Sequence, residues 1–287
     1  MPELPEVETV RAGLEQALRG ARIRCVEMHR TSLRFPLPED FAAYLEGERL
    51  NAFRRRGKYL LIELENKGLL LAHLGMSGRF TVLPPELPPE QGGWSRTRHD
   101  HIIFHMQGGT RLVYTDPRRF GLMDLIRDGN WREHRLLASM GIEPLGNAMN
   151  GAFLARAAQN RRMPLKSFLL DQRIIAGLGN IYVCEALYRA RLSPRRMAHT
   201  LGQGARPGLR AERLARAITQ VLREAIAAGG SSLRDYAQSN GELGYFQHAF
   251  TVYGREGEPC RTKGCKARIA KITQSGRSSF FCPHCQR

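Results

Sequence analysis

Apolar positions in the first half of the chain fall into two patterns. Val7, Val10, Leu14 and Leu18 recur at intervals of three and four, the spacing that lines one face of an α-helix. Pro5 suits a first helical turn, and Glu6 and Glu8 complement the positive end of the helix dipole, so a helix is predicted from Pro5. Short runs bounded by Gly, Pro or polar turns follow: Arg22–Met28, Tyr59–Leu64, Leu69–Leu74, Arg79–Leu83, His101–Met106, Arg111–Thr115 and Leu122–Ile126. They predict the strands of a β-sandwich or barrel. Between them Pro84–Arg98 holds four prolines and two glycines and reads as a long loop.

Around Pro144–Gly151 the pattern changes, and helices are predicted over Ala152–Gln159, Leu165–Leu170, Ile181–Ala190 and Ala211–Ala228. The last carries Leu214, Ile218, Val221, Leu222 and Ala225 on one face, with Ile226 at its edge. Gly229–Gln247 is a polar, Gly-bearing loop, and the stretch from Pro259 is a separate unit rich in cysteine. The expected organisation is therefore α+β: an N-terminal β-sandwich with a flanking helix over residues 1–143, a helical domain over 144–250, and a tail unit over 251–287.

Composition adds a partner class. At 42% hydrophobic and 25% charged residues the chain is ordinary globular protein, but 44 basic against 27 acidic residues give a net charge of +17. The excess is uneven: 21 basic and 19 acidic residues lie up to Glu143, and 23 basic and 8 acidic ones beyond it. A second half built this way is expected to face a polyanion. Of the basic residues 38 are Arg and six are Lys, so each Lys is informative. No apolar run approaches the roughly 18 residues of a membrane span. The start MPELPEVETV lacks the basic-then-apolar order of an export signal, so a cytoplasmic location is expected.

The strongest local signal is the tail, where Cys260, Cys265, Cys282 and Cys285 form two close pairs sixteen residues apart. That spacing can bring four thiolates around one tetrahedral zinc, whose binding would supply most of the folding free energy of so small a unit. Cys25 and Cys184 stand alone and read as structural, and His284 as a neighbour of ligands. From Cys260 onward there are seven basic residues and no carboxylate, which suits a hairpin placed against nucleic acid. A second signal is Ala176-Gly177-Leu178-Gly179-Asn180, a small-residue turn opening a helix. Its unpaired N–H groups and dipole favour a phosphate, with Asn180 at the cap. A third is Met1 followed by Pro2. Removal of the initiator would expose a secondary amine with a reference pKa near about 8, able to attack an aldehyde-level carbon and form an iminium. Glu3 beside it could serve as general acid or base. By spacing alone, an ordinary acidic helix start explains these residues equally well.

Several motifs occur in order along the chain: MPELPEVETV, Lys58 after Arg54-Arg55-Arg56-Gly57, His73-Leu74-Gly75-Met76-Ser77-Gly78, and Tyr114-Thr115-Asp116-Pro117-Arg118-Arg119-Phe120-Gly121. Gly177-Leu178-Gly179-Asn180-Ile181-Tyr182, Gln238-Ser239-Asn240-Gly241, Val252-Tyr253-Gly254-Arg255 and the four cysteines complete the set. The sequence closely resembles the bacterial formamidopyrimidine-DNA glycosylase family, enzymes of 8-oxoguanine repair, from Pro2 to Cys285. The resemblance implies a bifunctional glycosylase and abasic-site lyase, a monomer acting on duplex DNA that carries an oxidised purine or an abasic site. It also implies a helix–two-turn–helix in the second domain and a zinc-finger β-hairpin in the third, and places the protein with the nucleoid. Pro2 would be the nucleophile, Glu3 would protonate the sugar, Lys58 would donate the proton for β-elimination and Arg277 would act in δ-elimination. Asn180, His99, Arg118, Arg161 and Lys166 match DNA contacts, with Lys166 on the lesion side. Met76, Arg118 and Phe120 match the triad that fills the hole left by the flipped nucleotide, and Gly229–Gln247 matches a lid. The four residues between Cys260 and Cys265, where the family commonly has two, leave the placement of the hairpin open. Two other readings remain: an endonuclease-VIII-like enzyme for oxidised pyrimidines, and a non-enzymatic zinc-finger DNA-binding protein, which gives Pro2, Glu3 and Lys58 no role.

Overall fold

The computed structural model describes residues 2–85, 94–203, 206–231 and 244–287. Most of the Pro84–Arg98 loop, the body of the Gly229–Gln247 segment and its Gln238–Gly241 motif lie outside the described residues. The chain divides into two compact units, Met1–Ala138 with Ala228–Tyr245, and Ser139–Ala227 with Phe246–Arg287.

The first unit begins with α1 (Leu4–Leu18) and β1 (Ile23–Met28), followed by α2 (Phe41–Leu45). The remaining strands are β2 (Leu50–Arg56), β3 (Tyr59–Leu64), β4 (Leu69–His73), β5 (Arg79–Leu83), β6 (Asp100–Met106), β7 (Arg111–Thr115) and β8 (Leu122–Ile126). Two four-stranded sheets result, ordered β1-β6-β7-β5 and β2-β3-β4-β8, with every pairing antiparallel. Alternate residues reach one shared core, Leu60, Ile62 and Leu64 from β3, Leu70 and Ala72 from β4, Ile102, Phe104 and Met106 from β6. Val7, Val10, Leu14 and Leu18 of α1 enter the same core, as their spacing requires. The sandwich is thus present, with two elements that the sequence pattern did not reveal. β2 reads Leu-Asn-Ala-Phe-Arg-Arg-Arg, and only Leu50 and Phe53 are buried, so its apolar signal is too sparse. α2 is a five-residue helix, shorter than any window in which a helical period can be read.

The second unit holds α3 (Gly151–Ala158), α4 (Leu165–Leu170) and α5 (Asn180–Arg189), then the two-residue strands β9 (Gly202–Gln203) and β10 (Arg206–Pro207), and α6 (Leu209–Ala227). β11 (Ala270–Gln274) and β12 (Arg277–Phe281) pair as an antiparallel hairpin. The α6 face predicted from sequence is buried at Leu214, Ile218, Val221, Leu222 and Ala225. Helix α5 is buried almost throughout, and its Glu185, fully buried, joins the tail to the helices. That carboxylate accepts the N–H groups of Thr251, Val252 and Tyr253 at 2.9–3.1 Å and the Thr251 hydroxyl. No helix among the described residues is long and apolar enough to cross a membrane.

Candidate active site and nucleic-acid interface

The N-terminus is built into the first unit rather than left frayed. Pro2 is buried, and Glu3, 2% exposed, is the N-cap of α1. Glu6, three residues on, accepts the Glu3 N–H at 2.8 Å through Oε2. Its Oε1 accepts both the N–H and the hydroxyl of Ser231 at 2.8 Å. One carboxylate therefore satisfies an orphan donor at the helix start and fastens the residue at the edge of the Gly229–Gln247 segment. Gly230, at φ +80°, lies close enough that a Cβ there would sit 3.1 Å from the Glu6 side chain. This anchorage explains why Ala228–Tyr245 groups with the N-terminal unit, whereas the sequence pattern assigned it to residues 144–250.

Lys58 lies on the turn between β2 and β3, where Arg56 pairs with Tyr59 and leaves Gly57 and Lys58 as a two-residue loop. Gly57 takes φ +56°, the positive angle that a tight hairpin needs at its first central position. Arg55 ties this turn to α1: its Nε donates to Glu8 at 2.8 Å and its Nη1 to the Gly57 carbonyl at 2.9 Å. Burial opposes ionisation of Glu8, but hydrogen bonds from Arg11 and Arg55 outweigh it and hold the carboxyl below its usual range. Opposite Tyr59 in the next strand is His73, its ring 4.7 Å from the tyrosine ring. Its Nδ1 accepts the Gly75 N–H, and burial together with the positive charges of Lys58 and Arg34 lowers its pKa to about 4. His73 is thus a neutral imidazole beside the lysine at neutral pH.

Met76, Arg118 and Phe120 are brought together by a buried residue that the sequence did not single out for a role. Asp116 accepts the Ser77 hydroxyl at 2.6 Å, the Gly121 N–H at 2.8 Å and the Tyr114 hydroxyl at 3.3 Å. Ser77 Oγ in turn accepts the Arg118 N–H at 3.1 Å. Gly75, at φ +62°, lets the Met76 loop lie against the Phe120 backbone, since a Cβ would stand 2.3 Å from its carbonyl carbon. Phe120 is 45% exposed, which removes it from the core, and the Arg118 guanidinium lies 5.0 Å from its ring centre. Burial and then the Asp116 charge push the Tyr114 phenol well above its usual pKa, so it remains a donor. His99 sits just before β6, with its carbonyl accepting the Asp116 N–H.

In the second unit Asn180 is the first residue of α5, and Gly179, not Asn180, is the N-cap. The Asn180 amide donates to the Ser278 carbonyl on β12 at 3.0 Å, and its buried Oδ1 has no partner among the described residues. Lys166, expected on the lesion side, is held by the hairpin in this structure. It is fully buried, and its Nζ donates to the Ser278 carbonyl at 2.8 Å and the Ser279 hydroxyl at 2.7 Å. The ammonium is used to hold the hairpin, because a buried cation needs acceptors in place. Arg277, at the start of β12, and Arg161, after α3, are exposed.

The four tail cysteines converge, with all Sγ atoms within 4.8 Å of one another and pairs at 3.9 and 3.7 Å. Four sulfurs about 2.3 Å from a tetrahedral zinc stand about 3.8 Å apart, so the donor set fits the metal. The four-residue gap closes in a turn: Cys265 N–H donates to the Thr262 carbonyl, and Gly264 supplies φ +79°. Cys184 is buried among Val252, Cys260, Ile269 and Cys282, a structural residue as expected.

A buried Pro2–Glu3 pair at the start of α1, a lysine on a tight turn and a basic hairpin stapled by four cysteines define a class, the zinc-finger DNA glycosylases. Family models match residues 1–123 (formamidopyrimidine-DNA glycosylase N-terminal domain), 140–237 (its H2TH domain) and 257–287 (a zinc finger found in these enzymes and in IleRS). The formamidopyrimidine-DNA glycosylase of Chelativorans sp. (strain BNC1) is 54% identical, with both chains covered in full. The crystal structure of the Thermus thermophilus protein is 42% identical with a TM-score of 0.84, covering 99% of this chain and 98% of that one. The wild-type Lactococcus lactis enzyme in complex with DNA containing N7-benzyl-Fapy-dG is 33% identical with a TM-score of 0.86, and both chains are covered in full. The chain belongs to the formamidopyrimidine-DNA glycosylase family, and its four tail cysteines hold one structural zinc.

Proposed function

We propose that this protein performs base-excision repair of duplex DNA, removing oxidised purines such as 8-oxoguanine and formamidopyrimidines and then cleaving the abasic strand. The Pro2 nitrogen attacks the sugar carbon that bears the damaged base, the glycosidic bond breaks, and the base leaves with its electrons and is protonated. Glu3 protonates the sugar ring oxygen as the ring opens, and the resulting iminium makes the neighbouring C–H acidic. Lys58 then serves β-elimination and Arg277 δ-elimination, leaving phosphates at both ends of a gap. The reaction requires the nucleotide outside the helical stack, since its sugar carbon is shielded there. Met76, Arg118 and Phe120 fill the vacancy, an apolar wedge beside a planar donor. His99, Arg161 and Asn180 hold phosphates, and Lys166 acts by fixing the hairpin strand next to Asn180. The division of labour we infer is catalysis from residues 1–143, duplex binding through Arg161 and Asn180 from the domain over 144–250, and hairpin support from 251–287. The protein acts as a monomer in the cytoplasm, at the nucleoid.

The observation that carries this reading is that Pro2 and Glu3 are buried at the start of α1, with Glu6 holding the Glu3 N–H and binding Ser231 as well. Borohydride added during turnover should trap a protein–DNA adduct that maps to residue 2. A trapped link at Lys58, or full excision by protein with a residue still attached before Pro2, would refute the assignment.

A further inference from the structure

The second unit carries a basic cleft whose lining includes none of the residues given a role in the proposed reaction. It encloses about 530 Å³ between the start of α6 and the zinc end of the tail. Arg191, Arg196, Arg210, Arg213, Lys263 and Arg287 line it, and no carboxylate side chain does. None of these six cations forms an ion pair with a described carboxylate side chain, although Arg189 and Arg255 nearby pair with Glu224 and Glu258. Arg196 donates from Nε to the main-chain oxygen of Arg287 and from Nη1 to the Thr200 hydroxyl. Burial and the like charge of Arg210 both pull the Arg196 guanidinium below its usual pKa. The zinc centre does not supply enough negative charge. Four thiolates around a divalent ion carry about two negative charges, against six positive ones at the cleft.

The cleft is separate from the hairpin tip. Cys265 and Cys285 border it, whereas Arg277 lies five positions along β12 from Cys282, about 17 Å at the rise of an extended strand. A compact space of this volume is only about 10 Å across, too small to take in a whole duplex. Single-stranded nucleic acid is held chiefly by stacking on successive aromatic rings, and the cleft offers one ring, that of His284, and no Phe, Tyr or Trp. What fits is a narrow, flexible chain of carboxylates, for which guanidinium forks provide bidentate donors.

We propose that this cleft is a docking site for an acidic peptide segment of a partner protein, which would bring the enzyme to that partner while its DNA-binding hairpin stays free. The test uses zinc-loaded full-length protein and a fluorescently labelled peptide of ten alternating Asp and Glu residues, followed by anisotropy at low salt. Arg210 and Arg213 are exposed on α6. The double variant R210E/R213E should bind the peptide at least tenfold more weakly than the parent, and R210A/R213A should fall between them. Excision from a lesion duplex should stay within about twofold in both variants, and a saturating lesion duplex should leave the peptide bound. Equal peptide affinity in parent and variants would overturn the proposal, as would displacement of the peptide in step with duplex occupancy. Tighter, Arg210- and Arg213-dependent binding of a single-stranded decanucleotide would also overturn it, by making phosphate the ligand.

Discussion

Glu6→Gln separates the architecture of the N-terminus from its chemistry. Glu6 is 1% exposed, and its carboxylate accepts the Glu3 N–H and both the N–H and the hydroxyl of Ser231. Glutamine preserves the length of the side chain but has a single acceptor oxygen. Whichever way its amide turns, an NH₂ group faces either the Glu3 N–H or the Ser231 donors. Bonds to a charged acceptor are worth about 1.5–3 kcal/mol each, and losing one or two of them should cost about 2–4 kcal/mol. For a unit of this size that corresponds to a fall of about 5–15 °C in Tm. The Glu3 amide, and Pro2 with it, then loses its fixed position, and a shift of about 1 Å at a reacting group can lower the rate about 100-fold. Single-turnover excision of 8-oxoguanine should therefore fall by about 10- to 100-fold, while affinity for a duplex with a reduced abasic site changes by less than about threefold. Melting curves and quench-flow on the same preparation provide both numbers. Excision at the parental rate with a lowered Tm would sink the reasoning, because it would mean that the clamp stabilises the fold without placing the nucleophile.

Three further outcomes are expected. Purified protein should contain about one zinc per chain, and Cys282→Ser should lower both the metal content and duplex binding, read by metal analysis and anisotropy. His73 has a folded pKa of about 4, below its unfolded value near 6.5, so the unfolded chain binds its proton more readily. Its contribution is intact above about pH 6.5 and is lost as pH falls toward 4, up to about 3 kcal/mol in all; His73→Gln should flatten the drop in denaturation midpoint over that window. Arg118→Ala should erode discrimination of the base opposite the lesion by about 1–3 kcal/mol while general duplex affinity changes little, measured by excision from duplexes with each of the four opposite bases.

The sequence alone determined what local regularity encodes. The α1 stripe, seven of the strands, the buried face of α6 and the zinc ligand set follow from the 3.6 period, from short runs bounded by turn residues, and from cysteine spacing. Asp116 and Ser77 stood inside legible motifs, and only the structure showed that they bind the Met76 and Phe120 loops to one another. Glu185 carried no signal, because a single acidic residue on a helix looks the same whether it faces water or four donors from a distant segment. Lys166 stood out as one of six lysines, and only the structure showed that its ammonium donates to acceptors 112 and 113 residues away on β12. Glu6 was visible as a favourable first-turn charge, and its bond to Ser231 spans 225 positions. Periodicity reports which face of an element is buried, but the partner of a buried polar group is chosen by long-range packing, so the tertiary structure alone decided how this site is held.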